Sequence, residues 1–326
     1  MSSAEDPKGE PERASGEGKQ SVAKGLIKTL RPHQWVKNLF VLAPMFFHKD
    51  VFLSTAAGPA LNLTVAVRAL VATLVFCFTS GAVYAINDIV DVEADRVHPV
   101  KRNRPIASGE VPIALAKLMA AGLVIASLAV ATMLDVYFAA VVAAYFVQNM
   151  AYSFKLKKIA FLDVGLISLG FVLRVLAGGY ATRVHVSGYM IACTALLALF
   201  LGFGKRRHEL ELETAGKQRA ALEAYSKGSL NIALGLTGTA TALTYVAYTL
   251  DQATSEFFHS QWLWLTSPFT VFGILRFLML VSGKAGRGRR SESPTQEMLR
   301  DVPFVLNLVL WGIVVVAIVY RLRPGT

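Results

Sequence analysis

Nine long apolar stretches leave this chain few ways to fold. They lie at roughly 34–53, 61–86, 111–133, 136–154, 160–180, 187–204, 229–250, 261–282 and 302–320. Each approaches the ~20 apolar residues that a helix needs to cross a bilayer core. Backbone groups in hydrocarbon must be satisfied within the segment, so such stretches become helices. The expected fold is all-α, an integral membrane bundle with about nine transmembrane helices. The first stretch contains Pro44 and ends in the polar run His48, Lys49, Asp50, which predicts a kinked or partly re-entrant segment.

Composition agrees. Of 326 residues, 54% are hydrophobic and only 17% are charged, against about 25% charged for a soluble chain. The net charge of +11 would suit a nucleic-acid binder, but the cations lie between apolar stretches. Residues up to 38 and the linkers after stretches two, four, six and eight hold 25 basic residues. The alternate linkers hold only Lys49 and Arg183. The positive-inside rule puts the first set, with the N-terminus, in the cytoplasm and the C-terminus outside. Residues 1–20, rich in Gly, Ser, Pro and charge, read as a disordered cytoplasmic tail, and no cleavable signal precedes the first apolar stretch. Residues 21–326 read as one domain. Cys77 and Cys193 fall inside apolar stretches and read as small core hydrophobes.

The second stretch runs into Asn87, Asp88, Asp91 and Asp95. On a helix with Asn87 at 0°, Asp91 falls at about 40°, Asp95 at about 80° and Asp88 at about 100°. Glu93 falls at about 240°, on the far side. Carboxylates on one stripe repel unless a cation lies between them. Oxygen-only donors suit magnesium, which usually takes one or two carboxylates plus substrate phosphates. The stripe therefore predicts a magnesium–diphosphate site at the cytoplasmic mouth, with Asn87, Asp88, Asp91 and Asp95 as metal ligands. Lys101, Arg102 and Arg104 follow closely and are candidates for the outer diphosphate oxygens. Asp91, Asp95 and Lys101 are the candidate catalytic groups.

The run Asn-Asp-x-x-Asp-x-x-x-Asp, followed by Lys101-Arg102-x-Arg104-Pro105-Ile106-x-x-Gly109, resembles the first aspartate motif of the UbiA prenyltransferase superfamily. That resemblance covers most of the chain and implies a nine-helix membrane enzyme with a cytoplasmic-facing cavity. Further motifs resemble the polyprenyl-phosphate phosphoribosyltransferase branch. They are Arg31-Pro32-x-Gln34-Trp35-x-Lys37-Asn38, Tyr152-Ser153-Phe154-x-Leu156-Lys157, Leu173-Arg174-x-x-Ala177-Gly178-Gly179 and Gly204-Lys205-Arg206-x-x-Glu209. Quinone- and haem-type relatives carry a second aspartate-rich motif after the sixth helix. Here that linker, read as 205–228, holds Lys205, Arg206, Arg207, Glu209, Glu211 and Glu213 and no aspartate.

The resemblance implies a pentosyltransferase with Mg2+ as cofactor. The donor is phosphoribosyl pyrophosphate, and the acceptor is a decaprenyl-type polyprenyl phosphate lying in the bilayer. The acceptor phosphate, already ionised near neutral pH with a second pKa of about 6, attacks the anomeric carbon without a general base. Lys37, Lys157, Lys205 and Arg206 are candidates for the remaining phosphates, Glu209 and Tyr225 for ribose hydroxyls. Gln34, Asn38, Tyr84, Tyr152 and Arg174 complete the candidate substrate set. His98 and His208 read as polar linker residues.

Arg174 and Arg276 lie inside apolar stretches, where a charge costs about 2.5–3.5 kcal/mol on the mildest scale. They are either functional or paired, and Asp163 is available to Arg174. Arg68 and Lys117 lie near stretch ends and read as snorkelling. The alternative activity is aromatic prenyl transfer from a prenyl diphosphate at the same magnesium site. A transporter would place its polar groups near the midplane, and these lie at the cytoplasmic ends. The membrane expected is the bacterial inner (plasma) membrane. Nucleic acid is not an expected partner, and the pattern leaves room for a homo-oligomer.

Overall fold

The computed structural model describes residues 21–47, 52–55, 58–211, 222, 224–282 and 294–321. The tail 1–20 and Glu213 lie outside the described residues, as does the side chain of Glu211. Among the described residues, eight helices are long and apolar enough to cross a membrane. They are Leu63–Val90, Ile113–Leu134, Val136–Phe154, Leu162–Thr182, Gly188–Leu210, Lys227–Leu250, Leu263–Val281 and Val302–Tyr320. All eight coincide with apolar stretches of the sequence.

The first expected stretch is different. Pro32–Leu42 is a 3-10 helix, and Ala43–Phe47 is a single α-helical turn and a half. Rising about 2.0 Å per residue in the tighter helix and 1.5 Å in the α-helix, the two lengths come to about 30 Å. A bilayer core is about as thick. A two-stranded antiparallel hairpin follows, pairing Phe52 with Leu61 and Thr55 with Gly58. The linker had given no signal of it.

The chain divides into two compact units. In the unit of residues 1–39 and 70–146, Phe76 packs on Phe138 and Tyr145, with ring centroids 6.4 and 5.1 Å apart. Ala82, Ala85 and Ala120 let two helices approach closely, as small residues do where lipid supplies no hydrophobic drive. In the unit of residues 40–69 and 147–326, Val164, Phe200, Leu230, Leu234 and Phe277 form the core. Gly178 is required there: a Cβ would lie 1.9 Å from the carbonyl oxygen of Val41.

Helix ends differ from the sequence reading where it matters for function. The Leu63–Val90 helix runs for 28 residues, about 42 Å, longer than a core of about 30 Å requires, and Asn87 and Asp88 lie in its last turn. The helix that begins at Gly188 continues to Glu211, so Lys205, Arg206 and Glu209 ride on its last turns rather than in a linker. His208, expected to be a polar linker residue, is fully buried there.

Candidate functional site

The acidic stripe is built at a helix break. The Leu63–Val90 helix stops one residue short of Asp91, and a five-residue helix, Val92–Arg96, follows. The backbone bonds Asp91 N to Asn87 O (2.9 Å) and Asp95 N to Asp91 O (2.8 Å) keep the helical register across the break. Asp91 and Asp95 therefore stay near the face that the wheel assigns, while Glu93 is exposed and pairs with Arg96 at 2.8 Å. Asp88 and Asp95 are each only 2% exposed.

The segment after the stripe is folded back by a small core. Val92, Ile106, Val111 and Ala116 bury together with Leu26, Ile89 and Ile113 around them. Gly109 adopts φ +82°, which side-chain-bearing residues rarely reach, and Val111 N closes the turn onto Pro105 O at 2.9 Å. His98 Nδ1 accepts from the amides of Val100 and Lys101. These contacts bring Arg104 back onto the stripe. Its Nη1 lies 3.1 Å from Asp88 Oδ1 and 2.5 Å from Asp95 Oδ2. Lys101 Nζ is 3.9 Å from Asp95 Oδ1, and Arg102 is exposed on the same 3-10 turn.

Arg31, quoted in a motif but not nominated for the site, completes this cluster. Its Nη2 lies 2.6 Å from Asp88 Oδ1, and its guanidinium stacks 5.0 Å from the Tyr84 ring centroid. Its backbone sits at φ +52°, an uncommon conformation for a residue with a side chain. Such conformations persist where the surroundings over-determine them, often at functional sites. The signal was available in the sequence: a lone arginine before Pro32 at the edge of an apolar stretch.

Asn87 Oδ1 is buried and has no hydrogen-bond partner. A buried amide oxygen without a partner is costly, and a metal ion would satisfy it. Asn87, Asp91 and Asp95 offer only hard oxygen donors, which fits magnesium with substrate phosphates completing its shell. Among the described residues, however, no three His, Cys, Asp or Glu residues converge as a ready-made metal cage. Asp88, expected to ligate, is held by two arginines.

A second ionic cluster occupies the other unit. Arg206, 1% exposed, places Nε 3.0 Å from Asp163 Oδ2 and pairs also with Glu209. Lys205 Nζ lies 3.9 Å from Glu209 Oε1. Tyr225 donates its hydroxyl to Asp163 Oδ1 at 2.7 Å and accepts from the Phe161 amide at 2.6 Å. Burial first, and the bond to Asp163 next, push the Tyr225 hydroxyl well above the ordinary tyrosine range. Phe161 sits at φ +66° at the start of the Leu162–Thr182 helix. The sequence offers Asp163 to Arg174, and packing gives it to Arg206.

Arg206 and Tyr225 are buried and engaged within the protein. Arg174 is buried, donates to Gly170 O at 2.8 Å and lies 5.4 Å from the Phe171 ring centroid. Its expected alternative partner, Asp163, belongs to Arg206. Asn38 is buried and bonds Cys77 Sγ and Ser80 Oγ at 3.3 and 3.2 Å, clamping the 3-10 segment to the Leu63–Val90 helix. Arg68 does not simply snorkel: it donates to Ala181 O at 2.6 Å. Arg276 is paired, with a two-toothed contact to Asp301 at 3.0 and 2.8 Å. Lys37 is exposed; Gln34, Tyr84, Tyr152 and Lys157 are half-buried.

Comparison with known proteins follows the same lines. The family model described as the UbiA prenyltransferase family matches residues 41–298. The decaprenyl-phosphate phosphoribosyltransferase of Mycolicibacterium smegmatis is 36% identical over 304 residues, covering 90% of this chain and 91% of that protein. The protein of the same name from Corynebacterium glutamicum is 34% identical over 307 residues, covering 92% and 88%. A UbiA homolog from Archaeoglobus fulgidus, solved bound to DMAPP and Mg2+, superposes with a TM-score of 0.64 at 18% identity, covering 91% of this chain and 99% of that one. At that identity the likeness speaks to the fold alone.

Proposed function

The chain belongs to the UbiA prenyltransferase family, and on that premise we propose that it is a membrane pentosyltransferase. It moves 5-phosphoribosyl from phosphoribosyl pyrophosphate to a decaprenyl-type polyprenyl phosphate and releases pyrophosphate. The observation that carries this reading is likeness over about nine-tenths of the chain to two decaprenyl-phosphate phosphoribosyltransferases.

The residues supply a consistent division of labour. Asn87 and Asp91, with Asp95 beside them, would hold magnesium. When bound, the ion neutralises the pyrophosphate and so makes it a better leaving group. Lys101 and Arg102 face solvent at the mouth of the stripe and are placed to take outer phosphate oxygens. Lys37, Lys157 and Lys205 are the candidates for the other phosphates, and Glu209, held by Arg206 and Lys205, for a ribose hydroxyl. The acceptor phosphate is its own nucleophile, so the protein's task is positioning and charge stabilisation.

We also infer the orientation. The basic segments face the cytoplasm of a bacterial inner membrane. The Pro32–Phe47 segment, at about 30 Å, then makes the ninth crossing, and the C-terminus lies outside.

Purified protein in detergent, given labelled phosphoribosyl pyrophosphate, polyprenyl phosphate and magnesium, should yield lipid-linked label. Label transfer that fails here, with reaction of a prenyl diphosphate and an aromatic acceptor instead, would replace this reading by aromatic prenyl transfer.

A further inference from the structure

The metal stripe already has a cation in it. One nitrogen of Arg104 touches both Asp88 and Asp95, at 3.1 and 2.5 Å. Arg31 holds Asp88 at 2.6 Å, and Lys101 stands 3.9 Å from the far oxygen of Asp95. Counting Asp91 on the same face, three carboxylates thus stand with three cations. A divalent ion arriving alone would enter a region with no net negative charge, and like charges at contact distance repel strongly where water is excluded. Asn87 Oδ1, by contrast, is buried beside this cluster with nothing to bond. The pocket is therefore neutralised at the acids and unsatisfied at the amide.

A diphosphate changes the balance. It brings several negative charges together with oxygens in the geometry that a guanidinium prefers. Arg104 is built to answer it. Its side chain is 28% exposed, whereas both carboxylate side chains are 3% exposed, so the cation is the movable partner. Its backbone is fixed: Arg104 N donates to Lys101 O at 2.9 Å, and Ser108 N donates to Arg104 O at 2.8 Å. The next residues, Pro105 and Ile106, are buried. Only the side chain needs to swing.

We propose that Arg104 is a resident counter-ion that keeps the metal site closed until diphosphate arrives, so that metal and diphosphate enter together. Diphosphate draws the guanidinium off Asp88 and Asp95, and the released Asp95 oxygens join Asn87 and Asp91 as donors. Arg31 stays on Asp88 and holds that carboxylate in place. Arg104 is in this sense a positioning residue for the metal. The inference rests on the reading of the stripe as a metal–diphosphate site, which is tested separately below.

Metal retention is the direct measurement. The full chain in detergent is dialysed to equilibrium against Mn2+, a paramagnetic stand-in for magnesium. Inorganic pyrophosphate is present on both sides or on neither, and Asp91→Ala serves as the blank. The unaltered protein should retain Mn2+ only with pyrophosphate. Arg104→Gln should retain Mn2+ without it, at least about tenfold more tightly than the unaltered protein, since one repelling charge and one competing ligand are gone. Arg104→Lys keeps the charge but not the fork and should fall between; it carries the test alone if the glutamine variant does not fold. Retention by the unaltered protein that is equal with and without pyrophosphate overturns the proposal alone. So does a folded Arg104→Gln that binds metal no better. Failure of every protein to retain Mn2+ even with pyrophosphate overturns the metal–diphosphate reading itself, and the proposal with it.

Discussion

Asp88 and Asp95 in one unit and Asp163 in the other are all nearly inaccessible, yet the cations on them differ. Arg31, Arg104 and Lys101 keep between a quarter and a half of their side chains exposed. Arg206 keeps 1%. In the first cluster one guanidinium nitrogen serves two acids, and a neighbouring amide oxygen is left without a partner. In the second, the tyrosine hydroxyl both donates and accepts, and the arginine spans Asp163 and Glu209, its Nε meeting Asp163 Oδ2 as an ion pair without hydrogen-bond geometry. The first arrangement can exchange a cation for another cation. The second has nothing to exchange without leaving a buried charge alone. One is a site and the other a fastener, although both are made of the same residue types.

Asp91→Ala should break the comparison most severely on the side of chemistry. Loss of a donor that stabilises developing charge costs about 10²–10³-fold in rate. Lipid-linked label formed per minute should fall at least that far, while the melting temperature in detergent changes little, because Asp91 sits at a helix break rather than in a core. A comparable loss of fold stability would make the stripe structural.

Asp163→Ala should do the reverse. It leaves buried Arg206 with Glu209 alone and takes the acceptor from the Tyr225 hydroxyl, and buried polar groups left short in this way should cost about 1–3 kcal/mol. The measurement is thermal or denaturant unfolding in detergent. Asp163→Asn, which keeps an acceptor for Tyr225, should recover part of the loss. If Asp163→Ala unfolds no more easily than the unaltered protein, the second cluster is not a fastener.

The difference between the clusters explains what the sequence disclosed. Eight crossing helices were legible because apolar length alone sets them. The stripe was legible because Asn87, Asp88, Asp91 and Asp95 are close in the chain, where helical geometry fixes their relation. Arg104 and Arg206 are legible in the sequence only as cations, since a pattern reports that a cation is present but not which carboxylate it meets. Asp163 and Arg206 are 43 residues apart in sequence, and only packing joins them. The hairpin at Phe52–Leu61 and the 3-10 winding of Pro32–Leu42 depend on pairing and tight geometry that short, mixed segments do not announce.

Tyr225→Phe sharpens the same contrast at smaller scale. It removes the hydroxyl that serves Asp163 and the Phe161 amide, and leaving those groups short should cost about 1–3 kcal/mol. A pH signature separates this from lost volume. The fold raises the Tyr225 pKa through burial and the bond to Asp163. In the unfolded chain the hydroxyl ionises near its usual value of about 10. Its contribution is therefore complete below that pH and falls away as pH rises above it. The phenylalanine variant should lose less stability than the unaltered protein between pH 9 and 11 (roughly the range bracketing that pKa). Equal alkaline losses would mean that Tyr225 is not tied to the cluster.

The smallest effect belongs to Glu93→Ala, and it tests whether the first cluster is a face or merely an acidic region. Glu93 is two residues from Asp91 and Asp95, so any argument from local charge would assign it a similar role. Its side chain is 79% exposed and its partner, Arg96, lies one turn away in the same short helix at 2.8 Å. An exposed pair of that kind contributes little to stability, and the far side of the helix has no access to the Asn87 amide. Turnover should stay within about twofold of the unaltered protein, a change well under the 1.4 kcal/mol that marks a factor of ten. A loss approaching that of Asp91→Ala would mean that summed negative charge, and not the ordered face of Asn87, Asp91 and Asp95, attracts the metal, and the contrast with the buried Asp163 cluster would lose its meaning.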